Sequence, residues 1–378
     1  MSYKALLITE GKNGTFDRQI VEKEIKDLPQ GDLLVRVHYS ALNFKDGLSA
    51  TGHRGITRNF PHTPGIEAAG VVEESSNPKY PPGCEVFVTG YDLGMNTSGA
   101  FAEYIRVPSE WIIPKPSVLS CKDCMTIGTA GLTAAYALHK MEAMGQTPEM
   151  GPIVVTGATG GVGSLSVAIL AKAGYEVIAV TGKKDAVDYL KYLGATRVEG
   201  RDFVDDKSGR PLAHSLWAGA IDTVSGNTLT TLLKRCKRDG CVVATGLLSG
   251  NRFEAPIYPF ILNGVNLLGI GAGQTPMPLR IKLWNKLINE WNVCDRLPAI
   301  AHEVQLEDLK DTYIDAILNG QTKGRIVVKL KEDCCKNTKA KQIKLNEYYK
   351  SGKRAVESPI EEEMPVMSAA VSAKAGGL

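Results

Sequence analysis

Apolar and polar positions follow two different periods along the chain, and the change of period divides it. From Lys4 to about Cys121 the apolar residues come in short runs, Leu33 to His38, Ala68 to Glu73, Glu85 to Thr89 and Phe101 to Pro108, separated by Gly and Pro turns. Such runs predict the strands of a compact, partly closed β-barrel. Ala130 to Ala143 has helical spacing and leads into a stretch where strands and helices alternate. Ile153 to Val155, Tyr175 to Thr181 and Ala195 to Val198 read as strands, with helices over Ser164 to Ala173 and Lys184 to Gly194 between them. Gly219 to Gly226, Gly240 to Leu247 and Val265 to Gly271 are three further strand candidates, followed by a helix over Pro276 to Trp291. Right-handed crossovers of this length build a doubly wound parallel sheet. His302 to Leu306, a helix near Leu309 to Leu318 and Arg325 to Leu330 then return to the first domain. The expectation is an α/β protein in which a barrel domain of residues 1–124 and 298–330 flanks a nucleotide-type domain of residues 125–297.

The candidate chemistry starts at Pro152 to Gly163, an apolar run that closes on Gly157, Gly160, Gly161 and Gly163. Glycines let the backbone turn tightly against a diphosphate, and a helix starting just after them points unpaired N–H groups at that anion. The spacing departs from Gly-x-Gly-x-x-Gly, so the alternating context carries as much of the inference as the turn. At the end of the second strand an acidic residue accepts the ribose 2′-hydroxyl of NAD. Thr181, Gly182, Lys183 and Lys184 stand there instead, which suits a 2′-phosphate and predicts NADPH.

Composition narrows the class. At 378 residues the chain can hold two cores, and a net charge of +3 from 44 Lys and Arg against 41 Asp and Glu argues against nucleic acid as the main partner. No apolar run is long enough to span a membrane, and Met1 to Glu10 is neither a signal-peptide core nor an Arg-rich presequence, so the cytosol is expected. The eight cysteines are scattered. Cys121 and Cys124 have ligand-like spacing without a second pair, which favours packing over metal. Residues 331–378 hold nine Lys and Arg and seven Asp and Glu with weak hydrophobicity, and predict a disordered tail dispensable for activity.

Particular stretches carry a resemblance. Ser40 to Asp46, Arg58 to Glu67, Ile127 to Thr133, Trp217 to Val224 and Pro259 to Leu262 resemble the medium-chain dehydrogenase/reductase superfamily, and within it the YhdH/AcuI type of acryloyl-CoA reductase, from about residue 4 to 330. The resemblance implies a GroES-like barrel beside a Rossmann domain, a homodimer, and NADPH-dependent reduction of acryloyl-CoA to propanoyl-CoA. Zinc alcohol dehydrogenases of the superfamily have a Cys where this chain has Asn43, and a metal-binding His in the segment matching Gly65-Ile66-Glu67. Asn43 and Ile66 cannot replace thiolate and imidazole, so no metal is expected.

Without a Lewis acid, reduction of an activated alkene remains feasible: hydride adds at the β-carbon and charge moves to the thioester oxygen, which needs fixed donors. Asn43 is the candidate for orienting nicotinamide or substrate, and Asp46 for supporting that loop, or simply for capping a polar turn. Tyr39, Lys45, Tyr91 and water all stay open as proton donor. The resemblance puts Phe44 near the cofactor, Thr159, Gly160, Gly161 and Val162 at the diphosphate, Thr181, Gly182, Lys183 and Arg201 around the phosphorylated adenosine, and Leu247, Ile261, Ala272 and Asn319 along the cleft. Phe44 stands where Tyr is common and Ala272 where Ser is frequent. Arg54, Arg58, Lys323 and Arg325 are candidates for the phosphates of an enoyl-CoA substrate. The rival readings are a quinone or free-enone reductase, and a cofactor-binding sensor or structural protein without turnover.

Overall fold

In the computed structural model, which describes residues 1–331, the chain opens with an antiparallel hairpin of β1 (Ser2–Glu10) and β2 (Phe16–Glu24). β3 (Leu33–Ala41), β4 (Glu67–Ser75), β5 (Glu85–Thr89), β6 (Tyr104–Val107) and β7 (Ile113–Pro114) follow. Helix α1 (Phe44–Ala50) leaves the end of β3. The nucleotide-type unit then contributes β8 (Ile153–Val155), β9 (Val177–Val180), β10 (Arg197–Glu199), β11 (Trp217–Asp222), β12 (Cys236–Ala244) and β13 (Asn266–Gly269). The chain comes back as β14 (Ala301–Gln305) and β15 (Arg325–Lys329).

Two sheets result. The barrel sheet runs β14-β15-β3-β4-β5-β7, with β6 also paired to β3, and isolated bridges from Ala5 to Ala102 and from Ile8 to His62 tie the hairpin to it. The second sheet is parallel throughout, in the order β10-β9-β8-β11-β12-β13. Counted within the sheet this is 3-2-1-4-5-6, the doubly wound order whose switch point lies between β8 and β11. All six residues of β11 are buried, as expected of a central strand covered on both faces.

The expected strands are present with ends shifted by a few residues, and β2 and the two-residue β7 were missing from the expectation. β2, Phe-Asp-Arg-Gln-Ile-Val-Glu-Lys-Glu, exposes every second residue or so and has no fully buried one, so its apolar run is too thin to stand out. Helix α2 (Cys121–Ala143) starts well ahead of the expected Ala130. Ser120 and Asp123 cap each other's backbone N–H groups at 3.0 Å each, and this reciprocal cap nucleates the extra turns. A break at Gly128 (φ 46°, ψ −150°) interrupts the periodicity that would have revealed them.

α2 runs through the expected boundary at residues 124 and 125, and the helix Leu297–Ile300 spans the one at 297 and 298. A single apolar cluster joins the halves across these points, from Tyr39, Phe87 and Ile113 of the barrel through α2 to Val155, Leu283 and Trp284. The rings of Phe87 and Trp284 stand 4.5 Å apart. The expected tail beyond Lys331 lies outside the described residues.

Candidate active site

The carboxyl ends of the parallel strands open onto a cleft of about 940 Å³ between the two halves, at the upper end of the range for small-molecule sites. Its floor is the glycine turn after β8. Helix α3 (Gly161–Lys172) begins there, N-capped by Gly160, with no side chain bonded to its first-turn amides and no acidic residue in that turn. Thr159, Gly160, Gly161 and Val162 line the cleft. Close packing of loop and helix depends on Gly163, since a Cβ there would meet the Gly157 carbonyl oxygen at 2.3 Å. The first-turn amides of Gly161, Val162 and Gly163, at the positive end of a 12-residue helix, form a cradle for a diphosphate, while the Gly160 amide donates to the Gly157 carbonyl at 2.9 Å.

One flank of that cradle is cationic. Thr181, Gly182 and Lys183 follow β9, and Arg201 opens the turn after β10; all four line the cleft. The Arg201 guanidinium lies against the Gly182 backbone, its Nε 2.5 Å from where a Cβ would stand. Lys183 Nζ donates to the Thr322 carbonyl at 2.5 Å and its amide to Thr181 Oγ1 at 3.1 Å. Burial, together with Lys323 and Arg201 nearby, lowers the pKa of Lys183 below that of an ordinary lysine. Two cations and a hydroxyl on one rim, with no carboxylate at the end of β9, fit a phosphorylated ribose.

The wall facing the cradle is built by a buried polar cluster under α1. Glu67, the first residue of β4, is fully buried and ion-paired to Arg325, the first residue of β15. Arg325 also donates to the Leu42 carbonyl at 3.2 Å, to Asn43 Oδ1 at 3.0 Å and to the Met125 carbonyl at 3.2 Å. Asn43 Nδ2 donates to Glu67 Oε1 at 2.8 Å and to the Ala41 carbonyl at 3.2 Å, and the Thr129 amide donates to Glu67 Oε2. The break in α2 makes room for this cluster, because a Cβ on Gly128 would come within 2.6 Å of the Glu67 carboxylate. Both N–H groups of the Asn43 amide are therefore occupied by protein.

Asp46 is fully buried one turn into α1 and accepts from the backbone amides of Asn43 at 2.8 Å, Gly65 at 3.1 Å and Ile66 at 3.0 Å. Burial, opposed by those donors and reinforced by Glu67, pushes its pKa up to about 7. It faces backbone rather than the cleft, tying α1 to the segment before β4.

Of the expected cofactor residues, Phe44, Leu247 and Asn319 also line the cleft. Ile261 and Ala272 do not: Ile261 is 65% exposed on the helix Tyr258–Asn263, and Ala272 is buried with its carbonyl accepting from Thr275 Oγ1 at 2.9 Å. Among the expected phosphate-binding cations, Arg325 must be corrected. It is buried and serves as counter-charge to Glu67; a guanidinium at the start of an interior strand is stable only when so paired. Arg54 is paired with Glu10, while Arg58 is exposed. Cys121 and Cys124 are buried in the first turn of α2, where burial raises the Cys124 thiol far above its ordinary pKa, the reverse of what a metal-bound thiolate needs. No group of three or more potential ligands stands together among the described residues. Sequence reasoning gave Glu67 no role. The available signal was an acid and a base, each immediately ahead of an apolar run, Ala68 to Val72 and Ile326 to Val328.

The family model described as zinc-binding dehydrogenase matches residues 161–289, and that of the alcohol dehydrogenase GroES-like domain matches residues 29–117. Acrylyl-CoA reductase AcuI of Ruegeria pomeroyi is 40% identical over 327 residues, 86% of this chain and 98% of its own length. The crystal structure of Escherichia coli K-12 YhdH with bound NADPH superposes with a TM-score of 0.82 at 41% identity, covering 86% of this chain and all of that one. Bacillus subtilis yhfP with NAD bound gives a TM-score of 0.83 at 40% identity, covering 87% of this chain and 100% of that one.

Proposed function

Given that the chain belongs to the medium-chain dehydrogenase/reductase superfamily, as a member of its YhdH/AcuI type, we propose that it reduces the C=C bond of acryloyl-CoA to give propanoyl-CoA, with NADPH as donor and without zinc. It is an NADPH oxidoreductase. The observation that carries the cofactor choice is the rim of Thr181, Lys183 and Arg201, cationic where an NAD site has a carboxylate. The reduced nicotinamide, when bound, supplies a hydride to an electron-poor carbon.

The chain's own residues bind and orient. The turn Thr159 to Val162, through the open amides at the start of α3, holds the diphosphate, and Lys183 and Arg201 the 2′-phosphate. Phe44, Leu48, Ile56 and Leu318, which also line the cleft, shield the reacting end from water. Asn43 and Asp46 act as positioning residues: the Glu67–Arg325 pair fixes the Asn43 amide, and Asp46 fixes the helix that presents it. Zinc independence is supported by Asn43 and Ile66, side chains with neither thiolate nor imidazole to offer.

A homodimer belongs to the same proposal. Ile257, Ile261 and Leu262 are 60%, 65% and 50% exposed beside the sheet edge formed by β13, an apolar patch and a free edge that a second copy would cover. A monomeric mass by light scattering would contradict it. No described helix is long and apolar enough to cross a membrane. Cytosolic residence is part of the reading, in keeping with free thiols at Cys84, Cys236 and Cys241.

NADPH oxidation with short enoyl-CoA thioesters, their CoA-free analogues and 1,2-naphthoquinone tests the substrate class. Acryloyl-CoA should have the highest kcat/KM. Preference for the quinone by tenfold or more would favour a quinone reductase, in keeping with the name "quinone oxidoreductase" carried by the relative YhfP of Bacillus subtilis at 42% identity.

A further inference from the structure

We propose that the Lys45 ammonium is the catalytic cation of the site, donating a hydrogen bond to the oxygen on which charge collects during reduction. The inference rests on the alkene-reductase reading above. Hydride addition to the β-carbon forms a C–H bond and breaks the C=C π bond, whose electron pair ends on the thioester oxygen as an enolate. A proton from water then joins the α-carbon and restores the C=O bond. Such a reaction needs a donor aimed at the oxygen, and the other candidates are otherwise engaged. Both N–H groups of the Asn43 amide already donate to Ala41 and Glu67. Tyr39 is packed in the apolar core, off the cleft wall. Tyr91 also lies off the wall, its ring stacked on Trp111 at 5.6 Å and covered by the Arg280 guanidinium at 4.3 Å.

Lys45 differs from all three. It lines the cleft and is half-buried. Its ammonium has three donors, yet its hydrogen-bond contact is the Met95 thioether at 3.8 Å, and it forms no ion pair among the described residues. A thioether is a weak acceptor, so the ammonium retains donors for a ligand. Its place along the cleft is equally informative. Nζ lies 3.5 Å from where a Cβ on Gly273 would stand, just past the carboxyl end of β13. Lys183 and Arg201 follow β9 and β10 at the opposite edge of the sheet. A dinucleotide whose phosphorylated adenosine sits at that edge extends toward β13, so Lys45 stands at the reacting end.

Lys45→Met, Lys45→Gln and Lys45→Arg in the full chain test this. With acryloyl-CoA as substrate, the Met and Gln variants should lose roughly 100-fold in kcat, the scale of removing one such donor. The Arg variant should recover at least tenfold of that loss. Kd for NADPH, from nucleotide fluorescence, should stay within twofold of wild type, and Tm within the spread of a surface substitution. A kcat within threefold of wild type in the Met variant overturns the proposal. So does a rise in KM alone, which would make Lys45 a binder of CoA phosphates, or a loss of kcat matched by loss of NADPH affinity or Tm, which would make it structural. Failure of the wild type to reduce any enoyl thioester would instead sink the parent reading.

Discussion

Two carboxylates in one small volume, Asp46 and Glu67, are held in opposite ways, and the contrast sets what each contributes. Glu67 has a guanidinium beside it. Asp46 is held by backbone amides rather than by a cation and is pushed up to about 7 by burial. Because that value lies above the ordinary carboxylate range, the native state retains a proton that the unfolded chain has released. Asp46's favourable contribution is complete below about pH 4 and is lost as pH rises toward 7. Asp46→Asn, uncharged throughout, should lower Tm overall by removing one acceptor, and should flatten the decline of Tm between pH 4 and 7. Thermal melts across that range check this; an unchanged slope would show that Asp46 stays ionised. The sequence displayed both acids within motifs and allowed either a functional or a capping role for Asp46. What it could not display was Arg325, 258 residues from Glu67, because that partnership exists only after β15 returns to lie beside β3.

At the scale of elements, regular periods were legible and irregular joins were not. The alternating half could be read almost strand by strand because each buried strand is a continuous apolar run. β2 escaped because an edge strand wet on one side is mostly polar, and the first turns of α2 because Gly128 breaks the helix where the Glu67–Arg325 pair must fit. A third such join lies at the helix Met277–Ile288. Arg280 in its first turn is fully buried and donates to the carbonyls of Thr89, Gly273 at 3.1 Å and Thr275 at 3.3 Å, and to Thr89 Oγ1 at 2.6 Å. No carboxylate balances it among these contacts; carbonyl dipoles and the Tyr91 ring do. It thereby fastens the loop after β5 of the barrel to the loop after β13 of the nucleotide sheet. Arg280→Met would orphan several buried acceptors, each costing about 1–3 kcal/mol, and should lower Tm by several degrees. A melting curve indistinguishable from wild type would contradict that role.

For the molecule as a whole, the sequence announced the two architectures and the glycine cradle, since both depend on local pattern. Eleven of the thirteen expected cofactor residues line one cleft; the two that do not, Ile261 and Ala272, are among those placed by resemblance alone. The fold brings the cradle after β8, the cations after β9 and β10, and Lys45 beyond β13 into one continuous groove, against which α1 is braced by buried charge. The central claim is that hydride passes within that groove from a reduced, phosphorylated nicotinamide to the β-carbon of an enoyl thioester. Mass spectrometry of the product made from acryloyl-CoA and [4,4-²H₂]NADPH tests it most directly. The account predicts propanoyl-CoA carrying one deuterium, at C3; product without deuterium, or with deuterium at C2, would contradict it.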